Sequence, residues 1–125
     1  MLQLDLQSRQ PIYEQLIYNL SEMVSLGIFS AEGQLPSVRT LARDLGVNPN
    51  TVQKAYQELE RRGIIYSVAG KGSFIAANNN AFEILCRQNL EKIRDAVTEG
   101  KRTGLSRPQV DEVIDSVYKE DTQHD

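Results

Sequence analysis

Two helix-punctuation signals standing close together constrain this chain most. Gly46 can close one helix in a left-handed cap, and Asn48-Pro49 can open the next, asparagine as N-cap and proline as first helical residue. The helices on either side are therefore joined by a three-residue turn, Gly46-Val47-Asn48. Ser37 can cap the first of them, with Val38, Leu41, Ala42 and Leu45 facing inward. The second runs from Pro49 to about Arg62 with Val52, Ala55, Tyr56 and Leu59 on one face, and Gly63 stops it. The period then becomes extended: residues 64–68 and 73–76 read as strands around the turn Ala69-Gly70-Lys71-Gly72. A glycine-rich hairpin directly behind two short helices has the layout of a wing.

The flanks complete the plan. Leu2, Leu4 and Leu6 alternate, which suits a short extended arm with one apolar face. Pro11 opens a helix over 11–26 whose stripe is Tyr13, Leu16, Ile17, Leu20 and Val24, and Gly27 ends it. The segment 27–37, punctuated by Gly27, Gly33 and Pro36, reads as a connector. Asn78-Asn79-Asn80 is a polar break. Beyond it Phe82, Cys86, Leu90, Ile93 and Val97 are spaced almost as a coiled-coil seam. After the interruption at 100–104, Ser106 and Gln109 form a capping-box signature. Val110, Val113, Ile114 and Val117 stripe a last helix to about Lys119. The expected fold is mainly α with a small β-hairpin: a winged helix-turn-helix domain over 1–77, a two-helix tail over 78–121, and a disordered end at 122–125.

Composition narrows the function classes. A single cysteine, Cys86, excludes an intrachain disulfide and a multi-thiolate zinc site, and the lone histidine is His124 at the C-terminal end. The N-terminal residues do not read as a signal peptide and no apolar run is long enough to span a membrane, so an intracellular, cytoplasmic protein with no membrane partner is expected. No nucleophile stands beside a base, and Asp111, Glu112 and Asp115 read as a solvated helix face rather than a metal cluster. Catalytic residues, metal and cofactor are all expected to be absent. The net charge of −3 argues at first against nucleic acid. Its distribution reverses the argument: residues 36–73 carry six basic against three acidic side chains, a surplus of +3, while residues 80–125 carry seven against ten. Phosphate attraction acts over about a Debye length, roughly 10 Å, so the local surplus decides.

In a helix-turn-helix the second helix enters the major groove and its first residues reach base edges. Here they are Asn50, Thr51, Gln53 and Lys54. Asparagine and glutamine pair bidentately with adenine, and threonine offers a methyl to thymine or a hydroxyl to phosphate. Arg39 and Arg43, one turn apart on the preceding helix, can meet phosphate or guanine. In the wing, Gly70 and Gly72 let the backbone come close to the phosphodiester and Lys71 adds a charge. A nucleotide-binding glycine loop fits less well, since these glycines lie between strands rather than before a helix.

At this point a resemblance becomes specific. The runs Gly33-Gln34-Leu35-Pro36-Ser37-Val38-Arg39-Thr40-Leu41-Ala42, Gly46-Val47-Asn48-Pro49-Asn50-Thr51-Val52 and Tyr56-Gln57-Glu58-Leu59, with Gly63, resemble the N-terminal domain of GntR-family regulators. Pro-Ile-Tyr-Glu-Gln from Pro11 and Gly70-Lys71-Gly72-Ser73-Phe74 complete the match, and the short tail resembles the YtrA-like subfamily. The resemblance implies DNA roles for Arg39, Asn48, Asn50, Thr51, Gln53 and Gly70, and dimerisation through the tail. It also implies control of a neighbouring transporter operon. This chain departs from several relatives at Pro49 and Gln53, where they carry Arg or Ser and Arg, so its contacts and target can differ.

For the tail, residues alone allow a dimer interface, a ligand pocket or intrachain packing. Dimerisation through Phe82, Cys86, Leu90, Ile93, Val97, Val110, Val113, Ile114 and Val117 is the expectation, because paired reading helices match two-fold half-sites. Cys86 then reads as a small apolar seam residue. The functional expectation is a repressor that binds double-stranded DNA at an inverted-repeat operator as a homodimer, with any small-molecule effector unidentified. The alternatives are a winged helix used for protein–protein contact, and a sensor or enzyme with its site in the tail.

Overall fold

The computed structural model describes residues 3–29 and 33–123, with side chains through Glu120. Leu2 of the expected arm and His124 lie outside the described residues. The elements are α1 (Ile12–Ser25), α2 (Val38–Leu45), α3 (Pro49–Arg61), β1 (Ile65–Val68), β2 (Gly72–Ile75), α4 (Ala81–Arg102) and α5 (Arg107–Gln123). The chain divides into two compact units, Met1–Cys86 and Arg87–Asp125.

In the first unit the caps act as their residue types dictate. Ser37 Oγ accepts from Thr40 N–H at 3.1 Å, and Asn48 Oδ1 accepts from Asn50 N–H at 2.8 Å. Between them Gly46 closes α2 at φ +69, a left-handed conformation that costs other residues about 1 kcal/mol or more. The three inward faces then share one core: Leu16, Ile17 and Leu20 of α1, Leu41 and Ala42 of α2, and Val52, Ala55, Tyr56 and Leu59 of α3. Ile64, Ile65 and Ile75 bring the base of the hairpin into it.

Three features depart from the sequence reading. The arm is not one apolar face: Leu4 packs on the core, but Leu6 is 71% exposed. The chain turns at Asp5, whose carbonyl accepts from Ser8 N–H and whose carboxylate accepts from Gln7 N–H. Buried Gln15 clasps that turn, accepting from Asp5 N–H at 2.8 Å and donating to the carbonyls of Asp5 and Gln10. Second, the connector contains sheet pairing. Leu35 N–H donates to the Ser73 carbonyl, Ile75 N–H donates to the Gly33 carbonyl, and Gln34 forms a bridge with Phe74.

Third, the first unit extends past the asparagine break. Asn79 Oδ1 accepts from Ala81 N–H while its Nδ2 donates to the Ala76 carbonyl, so the polar triplet is a helix cap. Ala81 and Leu85 are buried, with Ile84 packed on the same core. The expected boundary after residue 77 therefore differs from the observed division at Cys86. Phe82 and Cys86, read as the start of the seam, are exposed. At 100° per residue their direction lies roughly 125° around the helix from that of Ala81, Ile84 and Leu85.

In the second unit α4 ends in a turn where Leu105 N–H donates to the Gly100 carbonyl at 2.9 Å, with Gly104 at φ +106. The capping box forms: Ser106 N–H donates to Gln109 Oε1 at 2.8 Å and Gln109 N–H donates to Ser106 Oγ at 3.3 Å. With no glycine or proline after Lys119, α5 continues to Gln123, so positions 122 and 123 of the expected disordered end are helical. Leu90, Ile93, Val97, Val113, Ile114 and Val117 are all exposed, and Val110 is half-buried. No helix among the described residues is long and apolar enough to cross a membrane.

Candidate nucleic-acid interface

Burial of Val52, Ala55, Tyr56 and Leu59 leaves the opposite side of α3 polar. Asn50, Gln53 and Lys54 stand on it exposed, and Thr51 is half-buried at its edge. Gln57, one turn beyond Gln53, belongs to the same polar surface. It lines the grooves on both sides of the helix. One groove, of about 360 Å³, lies between α3 and the wing and is bounded by Gln53, Gln57, Ser67 and the Ala69–Gly72 turn. The other is bounded by Tyr13, Thr51, Lys54, Gln57, Glu58 and Arg61.

Asn48 caps α3 as its residue type and position lead one to expect. Its side-chain oxygen accepts from Asn50 N–H, leaving its Nδ2 as the group that can reach outward. The cap also leaves other early N–H groups at the positive end of α3, where an approaching phosphate is favoured. Arg39 is exposed on α2. Arg43 is exposed too, with Asp44 at 3.7 Å, a screened surface pair that a phosphate can displace.

The hairpin carries Lys71 at its turn. β1 and β2 pair antiparallel in the register Tyr66 to Phe74 and Val68 to Gly72, and the two rings stack at 5.6 Å. Gly70 at φ +76 and Gly72 at φ +116 make the turn that a side chain would strain. Glu60 Oε1 accepts from Ser67 N–H at 3.1 Å, tying α3 to β1.

Charge at the far end of α3 is spoken for. Glu58 accepts from Arg62 at 2.7 Å and also pairs with Arg61. The two guanidinium groups bring its carboxyl from 4.5 down to about 2. Of the six basic residues that make the local surplus, Arg39, Lys54 and Lys71 have no ion pair among the described residues. Lys54 stands on the polar face of α3, Arg39 on α2 and Lys71 at the turn of the wing. Gln34, Gln57 and Glu60 are absent from the site read from sequence. Gln57 was within reach of the i, i+3, i+4 pattern, whereas Gln34 and Glu60 act through contacts made only on folding. Among the described residues no group of His, Cys, Asp and Glu is arranged to hold a metal.

This arrangement matches known proteins. Residues 12–75, more than half of the chain, match the bacterial regulatory proteins of the gntR family. The chain belongs to the GntR family. It is a transcription regulator of the DNA-binding winged helix-turn-helix type. It is 39% identical to the HTH-type transcriptional repressor YtrA of Bacillus subtilis, over 94% of this chain and 80% of that protein. A GntR family transcriptional regulator from Listeria monocytogenes has a similar structure, with a TM-score of 0.74 and 29% identity over 89% of this chain and 98% of that one. The DNA-binding domain of AraR, solved in complex with operator ORE1, superposes with a TM-score of 0.53 and 29% identity, over 61% of this chain and 93% of that one. The likeness to YtrA extends beyond the winged domain, and the tail helices are part of it.

Proposed function

We propose that this GntR-family member is a cytoplasmic repressor that binds an inverted-repeat operator as a homodimer. The observation that carries the reading is the polar face of α3, set between an exposed Arg39 on α2 and a wing with Lys71 at its turn. Asn50, Gln53 and Thr51 read base edges, and Lys54 stands beside them. Arg39, Arg43 and Lys71 meet phosphates, while Asn48 and Gly70 shape the backbone that approaches them. The exposed apolar side chains of α4 and α5 supply the dimer contact, with Phe82 and Cys86 at its margin, and two subunits place two reading helices on one operator. Control of a transporter operon is carried over from the resemblance. No catalytic step and no cofactor belong to this reading, and it leaves the effector open.

The test is binding to selected and random duplexes across a salt series. Gln53→Ala and Asn50→Ala should cost about 1–3 kcal/mol on the selected sequence and little on random DNA. Lys71→Ala should weaken both alike and reduce the salt slope by about one. Equal losses on both duplexes for all three variants would remove the base-reading assignment. Absence of any salt-dependent binding by the unaltered chain would leave protein–protein contact as the use of the winged domain.

A further inference from the structure

We propose that Gln34 is a positioning residue for DNA binding, fixing the tip of the wing so that Lys71 meets the duplex in a set place. The proposal rests on the DNA-binding reading above. Gln34 lies ahead of α2, yet its Nε2 donates to the Lys71 carbonyl at 2.7 Å. Backbone bonds from Gly33 and Leu35 secure β2 at Ser73 and Ile75. The Gln34 amide carries that tie outward to the turn. Gly72 makes room for it: a Cβ at that position, where φ is +116, would stand 2.7 Å from Gln34 Nε2. The wing glycine thus has a second use beside its backbone freedom. An exposed glycine-rich turn left to itself samples many conformations, and ordering it would weaken association. A tip ordered before DNA arrives removes that cost. Gln34 reaches no base in this account; it acts through Lys71.

The experiment is a double-mutant cycle on a DNA fragment selected by the unaltered chain. Gln34→Met keeps the length of the side chain, removes the donor and adds no charge. Q34M should weaken binding about fivefold in the natural background and less than about twofold beside Lys71→Ala, because the two act as one unit. Its thermal midpoint should stay within about 2 °C of the unaltered chain, and amide exchange at Lys71 and Gly72 in the free protein should quicken. Equal losses in both backgrounds would place the effect of Gln34 elsewhere. Unchanged binding by Q34M overturns the proposal whatever the exchange rates show. If the unaltered chain binds no duplex at low salt, the DNA-binding reading falls and takes this proposal with it. If it binds and Q34M binds equally, the proposal falls alone.

Discussion

Tyr56 shows how one side chain ties the reading helix to the rest of the winged domain. Its ring packs in the core, and its hydroxyl donates to the Pro36 carbonyl at 2.7 Å, just ahead of the Ser37 cap of α2. Burial pushes its phenol from 10.0 up to about 12. The neutral form is thus favoured in the folded state. Its contribution is complete below pH 10 and is lost as pH rises towards 12, because the unfolded chain releases this proton first. Tyr56→Phe should cost about 1 kcal/mol at neutral pH, the usual net worth of one hydrogen bond. It should also flatten the alkaline part of the stability curve. Denaturant titrations of both proteins between pH 7 and 11 check both outcomes. Helical spacing is enough to place Tyr56 in the core. The partner of its hydroxyl is another matter, since only packing of α2 on α3 brings Pro36 near.

At the scale of elements, α4 is the informative one, because its two faces have different surroundings. Leu85 is buried and Leu90 is 66% exposed. Leu85→Ala should therefore destabilise the winged domain by about 2–4 kcal/mol, the range for a buried leucine, while Leu90→Ala leaves that domain's unfolding unchanged. Comparing the unfolding free energies of the two variants decides it; equal losses would mean the face assignment is wrong. The same reasoning sets where the winged domain can be cut. A chain ending after Cys86 keeps Ala81 and Leu85 in place, whereas one ending at Asn79 loses both and should unfold at lower denaturant. The seam through Phe82 and Cys86 is what the four-and-three spacing of apolar residues suggests. Spacing alone cannot tell which of two apolar faces meets the core, and the smaller Ala81 with Leu85 fits against it.

For the whole molecule, charge and the proposed two-fold pairing of subunits act together. The net charge is −3, and Glu58 holds Arg61 and Arg62, so few cations remain for phosphate. A single winged domain would then bind weakly, and in the proposed homodimer a second copy on the same duplex would supply much of the affinity through effective concentration. Ile93→Glu with Val97→Glu places charge on the exposed apolar face of α4. That variant should sediment as a monomer and bind the operator at least about tenfold more weakly, while keeping its affinity for a single half-site. A dimer that persists would move the subunit contact away from α4.

The helix boundaries of the winged domain, the three-residue turn, the wing and the polar face of α3 are all legible in the chain, because caps, glycines and apolar periodicity are local signals. Asn48-Pro49 starts α3 and Gly46 ends α2 without help from any distant residue. Contacts between segments far apart in the chain belong to the tertiary structure alone. Gln15 clasps the turned arm, Gln34 reaches the wing tip, Glu60 meets Ser67, and α4 lays Ala81 and Ile84 on the core. Each of these depends on two segments arriving side by side, and no periodicity in either segment records the other's position.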